Sequence, residues 1–91
     1  MKNLISKEKA LVASILSIIP GVELGLVKAK KVDGKIVVTY QIKYDQELES
    51  SVKDVVNEFE DGSVKIDARI LTSKYKFVDS VTRAKINKLN E

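Results

Sequence analysis

The side chains of this chain that could do chemistry are mostly cations. Lys28, Lys30 and Lys31 crowd one short stretch, and Lys74, Lys76, Arg83, Lys85 and Lys88 recur near the end of the chain. Ammonium and guanidinium groups bind phosphate or carboxylate. A basic surface built from these eight residues would therefore meet an anionic partner. The lysines of the first group have a plainer use as well, since charge on an edge strand discourages pairing with other chains. No aromatic residue is interleaved with Lys28–Lys31, as a stacking surface for single-stranded nucleic acid would require.

The chemistry that is missing narrows the function further. The chain has no cysteine and no histidine. Thiolate nucleophiles, disulfides and the usual zinc and iron–sulfur ligand sets are excluded, and the commonest general base is absent. Catalysis would have to run on carboxylates, lysines, serines or tyrosines. The expectation is a non-enzymatic protein with no cofactor and no metal. Asp54, Glu58, Glu60 and Asp61 are acidic enough to suggest a cation site. However, Asp61-Gly62 lacks the alternating oxygen ligands that precede the glycine of a calcium loop, so these acids read as a solvated face.

Charge is segregated along the 91 residues. Residues 1–44 carry eight lysines and three acids, residues 45–67 carry eight acids and two lysines, and residues 68–91 carry six Lys/Arg and two acids. Basic ends around an acidic middle give a dipolar chain with a net charge of +3.

The elements that must position these charges are organised around a hairpin, Val22 to Tyr44, closing at Asp33-Gly34. Ile36, Val38, Tyr40, Ile42 and Tyr44 alternate with polar positions at strand period. Asp-Gly supplies the positive φ angles of a tight turn. The first hairpin strand alternates less regularly, which places a bulge at or beside Gly25. Before the hairpin, Ala10 to Ile19 is an apolar run too short to span a bilayer. It reads as a core helix, capped by Ser6 and stopped by Pro20-Gly21. After the hairpin, Leu48, Val52, Val55, Val56 and Phe59 form one apolar stripe of a second helix, which starts at Asp45 and ends at Gly62. Val64, Ile66, Ala68 and Ile70 alternate with Lys65, Asp67 and Arg69, which predicts a third strand over Val64–Leu71. A basic tail helix is expected within 72–91.

The resulting order is α-β-β-α-β, an α+β two-layer sandwich with a three-stranded sheet and a C-terminal tail helix. Residues 1–71 would form the domain and 72–91 the tail. A right-handed crossover through the second helix would carry the chain to the third strand, with strand order 2-1-3 favoured.

The stretch Ile5-Ser6-Lys7-Glu8, continuing through Ile15-Leu16-Ser17-Ile18-Ile19-Pro20-Gly21-Val22, resembles the opening of the alkaline shock protein family of Gram-positive bacteria and their wall-less relatives. That family begins with Ile-Ser and an acid-containing helix start. An apolar helix follows and ends at Pro-Gly-Val or Glu-Gly-Val. The resemblance covers residues 5–71. The chain differs in its short loop after Tyr44, where family members often carry a Tyr-Gly-containing turn, and in its basic tail. The resemblance implies a small, non-enzymatic, cytoplasmic protein linked to envelope stress. It would act through protein–protein contacts, in some members with a membrane-anchored partner. No catalytic residues come with it.

Three other readings compete or combine with this one. An RNA-binding or ribosome-associated module would use the basic ends. A KH-type clamp needs Gly-x-x-Gly, and Gly21 and Gly25 stand one residue too far apart. Small iron–sulfur carriers share the element order but depend on cysteines. Self-association through the apolar first helix or an open sheet edge is compatible with the family resemblance.

Overall fold

The computed structural model describes residues 1–90. The chain runs through β1 (Lys2–Ser6), α1 (Lys9–Ile18), β2 (Glu23–Val32), β3 (Lys35–Tyr44), a 3-10 turn at Gln46–Leu48, α2 (Glu49–Asp61) and α3 (Ala68–Leu89). The sheet is antiparallel with order β1-β3-β2. The fold is α+β, with a three-stranded sheet and a long C-terminal helix packed on it.

The β2–β3 hairpin forms where its sequence predicts. Asp33 (φ 51°) and Gly34 (φ 79°) both take left-handed backbone. That is the conformation in which a two-residue turn matches the twist of its strands. The register shifts between Leu24 and Val27, so Gly25 and Leu26 form the bulge. Gln41 Oε1 accepts the Leu26 N–H at 3.1 Å.

The third strand is a correction. It is β1 at the N-terminus, pairing Leu4 with Ile42 and Ser6 with Tyr40. Residues 64–67 carry no regular structure, and Ala68 opens a helix. The expected α-β-β-α-β order, the crossover and the 2-1-3 arrangement fall with the Val64–Leu71 strand. The β2 edge that the 2-1-3 arrangement would have used stays open. The physical cause is local: Asp67 caps a helix, its carboxylate accepting the N–H groups of Arg69 (2.8 Å) and Ile70 (3.4 Å). Because α3 is continuous through residues 71–72, the division drawn at 71 falls inside a helix.

The N-terminal cap of α1 also differs from the expectation. Ser6 ends β1, and its hydroxyl accepts the Glu8 N–H at 3.0 Å one residue before the helix begins. At the other end, α2 stops where expected. Gly62 is left-handed (φ 74°), and the Ser63 N–H returns to the Glu58 carbonyl at 2.8 Å.

The helices cover one face of the sheet. Leu11, Val12 and Ile15 of α1 and Ile19 just after it meet Val27, Tyr40, Ile42 and Tyr44 of the sheet, Val52 and Val55 of α2, and Val78 of α3 in one buried cluster. α1 packs against both other helices. Ser14 is buried among them rather than exposed, with its hydroxyl donating to the Ala10 carbonyl at 2.8 Å. The opposite sheet face is open, and Ile5 and Leu26 on it are 61% and 52% exposed. Among the described residues, no helix is long and apolar enough to cross a membrane.

Candidate functional site

The candidate surface begins at β2, an edge strand with β3 on one side only. Pairing in the hairpin fixes which of its backbone groups are free. Val32 faces Lys35 across a two-residue turn, which makes that pair the first hydrogen-bonded one. Antiparallel pairs alternate, so Lys30 and Lys28 also face β3 with their backbone groups. The N–H and C=O of Val27, Ala29 and Lys31 then point away from the sheet.

α3 is held beside this edge by polar contacts as well as by Val78. The Thr82 hydroxyl donates to the Val78 carbonyl at 2.7 Å, which leaves its oxygen to accept the Tyr40 hydroxyl at 2.8 Å. Both side chains are buried. Nearer the start of the helix, Lys9 of α1 donates to Asp79 at 2.7 Å, and Arg83 pairs with the other carboxylate oxygen at 2.8 Å. The hydrogen bond from Lys9, aided by the Arg83 charge, holds the Asp79 carboxyl below its ordinary value. The same bond raises the Lys9 ammonium. Lys9 Nζ also lies 5.5 Å from the centre of the Tyr75 ring.

Between the β2 edge and the last turns of α3 runs an open groove of about 450 Å³. Its floor is apolar, formed by Leu26, Val27, Ala29 and Leu89, and its rims carry Lys28 and Lys30 from β2 with Lys85 and Lys88 from α3. Among the described residues, no acidic side chain lines it. Four of the eight basic positions singled out in the sequence therefore meet across residues far apart in the chain. The other four do not line it. Lys31 sits beyond the groove toward the hairpin turn, and Lys74 and Lys76 are exposed on the first half of α3. Arg83 is committed to Asp79.

The groove floor and Thr82 are the features that sequence reasoning missed. Leu26 and Leu89 belong to elements whose apolar patterns are irregular. A buried threonine within a basic helix gives no period to read, although Val78 and Thr82 at i and i+4 share a face.

Elsewhere the described side chains assemble no comparable chemistry. A pocket of about 370 Å³ between α1, the end of α2 and the start of α3 is lined mostly by apolar groups, including Phe59, Ile66 and Leu71. The acids of α2 do not converge, and among the described residues no group of three or more could hold a metal ion.

Comparison with protein-family models, with curated proteins and with solved structures finds no match for this chain.

Proposed function

We propose that this protein is non-enzymatic and works through protein–protein contacts, as an alkaline-shock-like protein whose contact surface is the groove between β2 and α3. The observation that carries this reading is the meeting of Lys28, Lys30, Lys85 and Lys88 around an apolar floor. Cationic rims steer an acidic partner and set its register, while apolar contact supplies affinity. The family resemblance supports a cytoplasmic setting, a role in envelope stress and a membrane-anchored partner.

The alternative is an RNA-binding module that uses the same cations. It lacks a stacking surface there, since among the described residues no aromatic side chain lines the groove.

Size-exclusion chromatography with light scattering, at low and high salt and with and without total cellular RNA, separates the two. The contact reading expects no RNA-dependent shift. It also expects capture of solubilised membrane proteins that is lost when Lys28, Lys30, Lys85 and Lys88 are all changed to Ser. A shift with RNA that salt abolishes would favour the nucleic-acid reading.

A further inference from the structure

We infer that the groove accepts an acidic peptide segment in extended conformation, which adds to the β2 edge as a fourth strand. The inference rests on the groove being the contact surface proposed above and names the conformation and charge of what it takes.

Three observations converge on this occupant. First, the backbone groups of Val27, Ala29 and Lys31 face out of the sheet, and Val27 and Ala29 line the groove. A β-strand satisfies such a row with its own N–H and C=O groups. Second, the groove is lined by consecutive residues of β2, Leu26 to Lys30, whose side chains alternate between the two sheet faces. The opening therefore lies along the strand edge and not over either face. Third, the charge is arranged for a strand. Lys28 and Lys30, opposite Thr39 and Val37, lie on the open face of the sheet. Lys85 and Lys88 stand on the helical side. The side chains of an added strand alternate likewise, so acids on either of its faces meet a lysine.

The same charges disfavour the commonest competitor, a second copy pairing β2 to β2 about a two-fold axis. That arrangement would bring the two sets of Lys28, Lys30 and Lys31 together. Nucleic acid has no backbone able to continue the sheet ladder.

The test uses the full chain and a short fluorescent peptide alternating Glu with Val. Two controls accompany it: the Lys–Val analogue, and the Glu–Val peptide with alternate backbone nitrogens methylated on its pairing edge. Binding is followed by fluorescence anisotropy, and amide exchange is followed by NMR. The acidic peptide should bind, and the amides of Val27, Ala29 and Lys31 should gain protection while those of Lys28 and Lys30 hardly change. The Lys–Val peptide should not bind. Backbone methylation should weaken binding at least tenfold, since it removes ladder donors without changing charge. The double variant Lys85→Ser/Lys88→Ser should weaken it by about tenfold, as two rim charge pairs allow.

Failure of the acidic peptide to bind at low salt would overturn the inference. Equal binding of the methylated peptide would also overturn it, as would protection arising outside β2. Tighter binding of single-stranded RNA at these residues would do the same. If the peptide fails while the four-lysine variant still loses its membrane-protein partner, strand addition falls and the contact surface stands. If that variant keeps its partner as well, both fall.

Discussion

Thr82 and Tyr40 show how one buried hydroxyl pair makes two substitutions unequal. Tyr40→Phe removes a donor but leaves Thr82 bonded to the Val78 carbonyl. It should cost about 1 kcal/mol, the net worth of an ordinary hydrogen bond. Thr82→Val leaves the Tyr40 hydroxyl buried without its partner, and should cost more, up to about 3 kcal/mol. Urea unfolding of the two variants checks the order, and equal losses would contradict the assigned donor direction. Asp79 supplies a second residue-scale prediction, this time in pH. Its carboxyl is lowered, chiefly by the hydrogen bond from Lys9, so its contribution is present above the ordinary value of 3.8 and lost as pH falls through the lower folded value. Lys9 is raised above its ordinary 10.5, chiefly by the same bond, so its contribution is present below that value and lost at higher pH. The melting temperature of Asp79→Asn should lie furthest below that of the parent near neutrality. The gap should close on acidification well below the ordinary carboxylate range. A gap independent of pH would show that the substitution disturbs packing and not charge.

At the scale of elements, the hairpin depends on its turn more than on any contact there. A Cβ at Gly34 would meet nothing within 4 Å, yet φ is +79°. Gly34→Ala should therefore lose about 1 kcal/mol through backbone conformation alone, measurable by urea unfolding with the buried core intact. Gly25 is the opposite case. Its Cβ would come within 2.7 Å of Gln41 Oε1, the group that bonds the bulge. This hairpin was legible because period-2 alternation and an Asp-Gly turn agree, and α2 was legible for its unbroken stripe and its glycine stop. β1 was not. Leu4 and Ile5 are adjacent and serve opposite faces, so a five-residue strand shows no alternation of a distinguishable length. Residues 64–70 misled for the converse reason. Their alternation is real, but Ile70 is 47% exposed, and the pattern ends in a helix cap at Asp67. Alternation says that a strand could form, while the Asp67 cap commits the residues after it to a helix even though the β2 edge stays open. The groove was half legible. The lysines stand out in the sequence, but their convergence depends on how α3 lies along β2, and that is set by Val78 and Thr82.

For the whole molecule, the question is whether α3 is an appendage or part of the cooperative unit. Its packing answers through three layers of contact. Val78 is fully buried in the common core, Thr82 satisfies the sheet's Tyr40, and Asp79 ties the helix to α1 through Lys9. A chain ending at residue 71 would expose Val27 and Tyr40, leave the Tyr40 hydroxyl without Thr82, and strip one flank of α1. Uncovering that much apolar surface should remove on the order of 5 kcal/mol or more, as much as a domain of this size has to lose. The truncated chain should therefore show no cooperative urea transition and poor dispersion of its amide resonances. The variant Lys28→Ser/Lys30→Ser/Lys31→Ser should unfold nearly as the parent does, because its changes lie on the solvated edge. The pair of results would separate the two roles of the basic ends. The helix that carries Lys85 and Lys88 is required for the fold, while the lysines facing it are left to function. A truncated chain that folded cooperatively would make α3 a detachable arm. The groove would then be a surface that forms and dissolves with that arm's docking.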